Sequence, residues 1–156
     1  MTSSKLDNAL EVLDIIKYLR LPIKETTSEE AKWDKLSKAP LTEDYIRKNA
    51  DKLNWDLISQ YQNLSEDFIR EFRSELDWFF ISRNQKLSES FIREFQNRVS
   101  WSGISEHQTL SEDFIVEFQN KVQWDKILKH QKVSDNFRRV FTEITRFGSP
   151  SLRIKT

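Results

Sequence analysis

The sequence predicts an all-α protein: a short α-solenoid of tandem 23-residue helix-turn-helix repeats with helical caps. Three observations predict it. Aligned at a period of 23, the chain writes one unit four times without a gap, over residues 41–63, 64–86, 87–109 and 110–132. Within each unit the apolar residues recur at helical spacing. The 156 residues include only two Gly and three Pro, too few for the turns of a sandwich or barrel.

The chain reads as a single repeat domain, 1–156, with an order of elements. Residues 5–21 carry an apolar face at Leu6, Leu10, Leu13 and Ile16 and read as an N-terminal capping helix, with Pro22 helping to end it. Residues 33–40 hold Trp33-Asp34-Lys35-Leu36-Ser37, the second half of a unit, one residue short: a partial repeat. After the four full repeats, 133–147 begins a fifth copy in which Arg138 replaces a repeated Ile. Gly148, Ser149 and Pro150 then break the pattern, so this C-terminal partial repeat reads as the second cap, followed by a tail, 148–156.

Numbering each unit from 1 to 23 shows why it should fold. Position 1 is Leu41, Leu64, Leu87, Leu110 and Val133, and position 5 is Tyr45, Phe68, Phe91, Phe114 and Phe137. Position 6 is Ile46, Ile69, Ile92 and Ile115, and position 9 is Asn49, Phe72, Phe95, Phe118 and Phe141. Position 13 is Leu or Val, position 15 is Trp55, Trp78, Trp101 and Trp124, and position 18 is always Ile. Position 2 is Thr42, Ser65, Ser88, Ser111 and Ser134, hydroxyls suited to capping a helix start, with acidic residues following near the positive end of the dipole. Helix A is expected over positions 3–12. Helix B, over about 15–21, is short enough that a partly 3₁₀ form stays open. One unit alone would leave its Phe, Ile and Trp half exposed, and stacking copies buries them in one seam.

Lys plus Arg and Asp plus Glu are both 25, so the formal net charge is zero and a general basic nucleic-acid surface is not supported. With no Cys there is no disulfide framework, thiolate chemistry or Cys-based metal site, which fits a reducing cytoplasm. The start, MTSSKLDNALEVLD, lacks the layout of a signal peptide, and no apolar run approaches the roughly 18 residues of a membrane span. No Gly-rich phosphate loop, nucleophile elbow or zinc-binding spacing occurs, so no catalytic, cofactor or metal residues are assigned.

The repeated segments LSEDFIREF (64–72), LSESFIREF (87–95) and LSEDFIVEF (110–118), each followed by Trp and an Ile-Ser or Ile-Leu pair, resemble the helical tandem repeats of giant DNA virus and large phage proteins. The resemblance covers roughly 33–147. It implies a helical array and a viral or phage source acting in the host cytoplasm, and it is nearly silent on function.

Function is therefore sought where copies differ. Acids at position 3 stand four residues before arginines at position 7 (Glu43–Arg47, Glu66–Arg70, Glu89–Arg93, Asp135–Arg139), either a solvated, self-supporting face or a docking ladder. Val116 breaks this pattern and leaves Glu112 unpaired, which marks a place for an evolved contact. His107 and His130 occupy position 21 of successive copies, as rim residues or a metal or acid–base pair. The tryptophans read as core, with a stacking platform as the other option. Phe79 and Phe80, at positions 16 and 17, are either an exposed anchor or extra packing. Partner contact is expected on positions 16, 17, 20 and 21: Phe79, Phe80, Arg83, His107, Lys126, Lys129 and His130, with Val116 as an outlier on helix A.

The expected function is a non-enzymatic protein-binding or scaffold module, an adaptor or inhibitor of a host protein or a minor structural component, with no cofactor. Self-association through the end units is open. The alternative is a nucleic-acid-associated protein using its basic C-terminal end. There Arg138, Arg139, Arg146, Arg153 and Lys155 face only Asp135 and Glu143, a net +3. A core role for the tryptophans predicts that Trp78→Ala costs roughly 3–5 kcal/mol in denaturant unfolding, and a near-neutral result would place the rings outward.

Overall fold

The computed structural model describes residues 28–146. Their ten helices are α1 (Glu29–Lys38), α2 (Glu43–Lys48), α3 (Trp55–Tyr61), α4 (Glu66–Glu71), α5 (Trp78–Asn84), α6 (Glu89–Glu94), α7 (Trp101–His107), α8 (Glu112–Glu117), α9 (Trp124–His130) and α10 (Asp135–Arg146). No strand occurs among the described residues, and the fold is a short helical-repeat solenoid. No described helix is long and apolar enough to cross a membrane. The capping helix expected over 5–21 and the tail 148–156 lie outside the described residues. The chain divides into two compact units, Met1–Ile81 and Ser82–Thr156, with the division inside α5. In the first unit α1 packs on α3; in the second, α7 packs on α9.

Helix A of every copy starts on its position-2 hydroxyl. Thr42 accepts the N–H of Tyr45 at 3.3 Å, Ser65 and Ser88 accept those of Phe68 and Phe91 at 3.1 Å, and Ser111 and Ser134 accept those of Phe114 and Phe137 at 3.2 Å. Each cap satisfies one of the N–H groups a helix start leaves without an intrahelical partner.

In the full copies helix A is shorter than expected: it ends at position 8, and positions 9–12 form a turn. Phe72 leaves the helical region at φ −104°, ψ 26°, and Phe118 at φ −106°, ψ 27°. Two side chains explain the break. In a continuing helix the position-14 N–H would bond the position-10 carbonyl. Instead the indole Nε1 of position 15 donates to that carbonyl: Trp55 to Ala50 O at 3.1 Å, Trp78 to Arg73 O and Trp101 to Gln96 O at 3.0 Å, and Trp124 to Gln119 O at 3.1 Å. The position-14 N–H goes to the position-19 serine of the preceding copy: Asn54 to Ser37 Oγ at 3.0 Å, Asp77 to Ser59 at 2.9 Å, Ser100 to Ser82 at 2.8 Å and Gln123 to Ser105 at 2.9 Å.

The last copy tests this account. Leu128 stands where that serine would be, and position 15 of the fifth copy is Phe147, which has no indole N–H. With neither side-chain partner supplied, α10 runs on as one helix from Asp135 to Arg146. Position 6 changes too. Ile at position 6 is fully buried in all four full copies, but its counterpart Arg138 is exposed and donates to Leu128 O at 2.6 Å.

Helix B spans positions 15–21 and is α-helical throughout, not partly 3₁₀. Its start is capped from position 14 by Asn54, Asp77 and Ser100, whereas Gln123 makes no such bond. Burial follows the repeat: Phe68, Phe91, Phe114, Ile58, Ile81, Ile104 and Ile127 are wholly buried. The tryptophans are half-buried. Three of them lie against the position-9 phenylalanine of the next copy: Trp55 stacks on Phe72 with centroids 4.9 Å apart, Trp101 meets Phe118 at a tilt at 5.0 Å, and Trp124 stacks on Phe141 at 4.5 Å.

Position 22 closes the seam with a buried glutamine. Gln108 Nε2 donates to Ser82 O at 2.9 Å and Gln85 O at 2.8 Å in the preceding copy, while its Oε1 accepts from Leu87 N in its own copy at 3.0 Å. Gln131 repeats this with Ser105 O, Gln108 O and Leu110 N. Gln62 bonds Ser37 O, Ala39 O and Leu41 N, so Ala39 fills the register at the partial repeat that is one residue short.

The position-3 acids also work between copies. Glu43 accepts the N–H of Ser65 and Glu89 that of Ser111, both at 2.6 Å. Glu112 accepts from Ser134 N, which corrects its reading as unpaired. The expected pairs with Arg47, Arg70 and Arg93 are loose, at 3.6–3.7 Å. Arg139 donates to Asn136 rather than pairing with Asp135. Arg47 and Arg93 reach across instead, to Glu71 and Glu117 at 2.8 Å, and lie over Phe68 and Phe114.

Gln108→Leu keeps the volume but leaves two carbonyls and one N–H without partners. It is expected to lower unfolding free energy by about 3 kcal/mol or more in urea titration. Ser105→Ala, which orphans one N–H, is expected to cost about 1–3 kcal/mol.

Candidate functional site

Once the repeated residues are accounted for, the outer face of helix B carries the differences between copies. Position 21 is exposed in every copy, as Tyr61, Asn84, His107 and His130. Position 16 is exposed at Asp56, Phe79 and Asp125 and half-buried at Ser102. Position 17 lies deeper, half-buried at Leu57, Phe80 and Lys126 and buried at Gly103.

In the first unit the feature of this face is Phe79, 49% exposed, on the first turn of α5. Its ring meets that of Phe80 edge-on, with centroids 5.4 Å apart. Phe80 is half-buried, so one ring of the pair packs while the other faces water.

In the second unit three of the expected contact residues converge. Lys126 Nζ donates to Glu106 Oε2 at 2.6 Å and to Ser102 Oγ at 2.7 Å. His107 Nε2 lies 3.7 Å from Glu106 Oε1. Arg83 packs across Gly103: a Cβ on that glycine would meet Arg83 Cγ at 3.0 Å and Ser82 Cβ at 3.1 Å. The missing side chain at position 17 is thus what admits the stem of Arg83. Lys129 and His130, on the same face of α9, are exposed. Among the described residues no group of three or more His, Asp or Glu side chains is arranged to hold a metal.

Glu106 is the centre of this cluster and escapes a search for variable basic or aromatic residues. Its signal was a sign reversal: position 20 reads Gln60, Arg83, Glu106, Lys129, placing one acid between two bases. The Lys126 hydrogen bond holds the Glu106 carboxyl below its ordinary range, aided by the charges of Lys126, His107 and Arg83 and opposed by desolvation. Arg83 and Lys126 carry two positive charges against the one negative charge of Glu106, so the cluster is weakly cationic.

Val116 has an account inside the fold. Where the earlier copies place Arg47 opposite Glu71 and Arg93 opposite Glu117, the final joint has Val116 and Val140 at the corresponding positions. Both members of an ion pair are replaced by valine together, Val116 half-buried and Val140 40% exposed.

Because its pKa is lowered on folding, the stabilisation from Glu106 is in place above the ordinary carboxylate range and is lost as pH falls through the lowered value. Glu106→Gln should unfold at lower urea than the parent at neutral pH, by a small margin because the groups are solvent-screened. The two midpoints should converge in acid; a gap that persists there would show that the ion cluster is not its source.

Comparison with protein-family models, with curated proteins and with solved structures finds no match to this chain.

Proposed function

We propose that the protein is a non-enzymatic protein-binding or scaffold module of viral or phage origin. It works in the host cytoplasm as an adaptor or inhibitor of a host protein, or as a minor structural component of the particle. The supporting observation is the division of labour along the repeat. Invariant positions are consumed in caps, seam and joints, while variable positions 16 and 21 of helix B reach the surface, and one of them is the half-exposed ring of Phe79. Aromatic side chains bring large contact area at low entropic cost, and repeat arrays vary such positions without altering the scaffold. The source and compartment rest on the resemblance of the repeat and on the absence of Cys.

The nucleic-acid alternative relied on the basic C-terminal end. Arg138 is engaged with Leu128 O and Arg139 with Asn136, while Arg153 and Lys155 lie outside the described residues.

The test is affinity capture from host or infected-cell extract, followed by reconstitution with the purified partner. Phe79→Ser combined with Phe80→Ser should abolish one specific partner with helicity unchanged by circular dichroism. Retention of that partner would remove Phe79 and Phe80 from the interface. Capture that disappears with nuclease, or falls steeply with salt, would favour nucleic acid over protein.

A further inference from the structure

In two copies position 12 carries a lysine, Lys52 or Lys121, that covers a tryptophan of the preceding copy. Lys121 Nζ lies 5.6 Å from the centroid of Trp101 and 5.9 Å from that of Phe118, and is held by Gln96 Oε1 at 2.8 Å and Asn97 Oδ1 at 3.5 Å. In the first unit, Lys52 Nζ lies 5.4 Å from the centroid of Trp33. An ammonium within about 6 Å of an aromatic centroid is attracted by the ring quadrupole. The array thus seats a primary ammonium over a Trp at two joints, and at Lys121 the seat also includes the position-9 phenylalanine of the next copy and the residues at positions 10 and 11.

At Trp55 the seat is present and the lysine is not. The stacked pair is there, Trp55 on Phe72, but position 12 is Glu75. Among the described residues no cation lies over Trp55. The neighbouring substitutions run in the same direction. Ala50 stands where Gln96 supports Lys121, which removes a side chain, and Asp51 stands in place of Asn97, which adds a negative charge. The result is an open cleft of about 270 Å³ lined by Ala50, Trp55, Glu71, Phe72, Ser74 and Glu75. That is smaller than the roughly 300–1,000 Å³ of pockets for drug-sized ligands and suits a single side chain. Glu71 already accepts from Arg47 Nε at 2.8 Å, whereas among the described residues Glu75 meets only the Ser74 hydroxyl, at 3.3 Å. Glu75 is therefore the carboxylate available to an incoming charge. The indole N–H is committed to Ala50 O, so the ring offers its π-face.

We propose that this cleft binds a lysine side chain of a partner protein. The ammonium sits against the Trp55–Phe72 pair, as Lys121 sits against Trp101 and Phe118, and is neutralised by Glu75. The proposal rests on the protein-binding reading and supplies the chemistry of one contact.

The test titrates the ¹⁵N-labelled full chain with Nα-acetyl-lysine N-methylamide at constant ionic strength, following the five tryptophan indole signals by NMR. The Trp55 signal is assigned by its loss in Trp55→Phe. It should shift saturably in the millimolar range while the other four stay in place. Glu75→Lys rebuilds the internal seat, so its Trp55 signal should start displaced and no longer respond. Glu75→Gln keeps the cleft and should respond more weakly. The norleucine analogue, which lacks the ammonium, should give no shift. No saturable shift in the folded parent, an equal shift with norleucine, or an undiminished shift in Glu75→Lys would each overturn the proposal. A displacement that grows with protein concentration before any ligand is added would assign the seat to a second copy of the chain and overturn the partner assignment. If the lysine titration fails while Phe79-dependent capture persists, the cleft is eliminated and the protein-binding function stands.

Discussion

In each full copy the N–H of position 14 and the carbonyl of position 10 stand where a continuing α-helix would join them, and two side chains take them instead. The tryptophan belongs to the same copy, and the serine belongs to the one before. Exchanging one backbone bond for two side-chain bonds ends the first helix, turns the chain and starts the second without glycine or proline at the turn. It also makes the turn depend on a neighbour. A copy without a predecessor lacks the serine that receives its N–H, so folding of the turn and stacking of the copies are one event, as expected of an array whose single units are not stable alone.

The same economy governs the seam. A buried amide is costly unless every donor and acceptor is met, and a satisfied one fixes geometry more narrowly than apolar contact does. Gln62, Gln108 and Gln131 use both amide protons and the amide oxygen on backbone groups at the joint, and no buried side-chain nitrogen or oxygen lacks a partner among the described residues. Apolar burial supplies the drive for stacking, and the serines and glutamines set its register.

Much of this architecture was legible in the sequence, and the reasons are local. Helix starts were announced by Thr42 and the serines at position 2, and the bounds of helix B by the Trp-to-Ile spacing. The buried faces followed from helical periodicity. The end of helix A was hidden because nothing in its residues stops it: the agents are Trp55, Trp78, Trp101 and Trp124 from beyond the turn and serines from another copy. The glutamines were visible in the repeat, but a polar residue near a helix end reads as surface until its partners are known. Glu43 and Glu89 were assigned to arginines four residues on, and Glu112, with Val116 in that place, was left unpaired, because local pairing is countable along one chain and pairing across a joint is not. Among the site residues, the convergence of Arg83, His107 and Lys126 needed Glu106 and the bare backbone of Gly103, which only the stacking of copies brings together.

The pair Leu128 and Phe147 has a consequence for how such a chain changes length. Each joint is written by residues that look one copy back or one copy forward, so whole units can be duplicated or lost in frame without disturbing the rest. Replacing the serine and the indole lets the last helix run on from Asp135 to Arg146. Growth of such an array is thus quantised in whole units, and the residues that write the joints are separate from the variable positions of helix B. Extent and specificity can evolve independently.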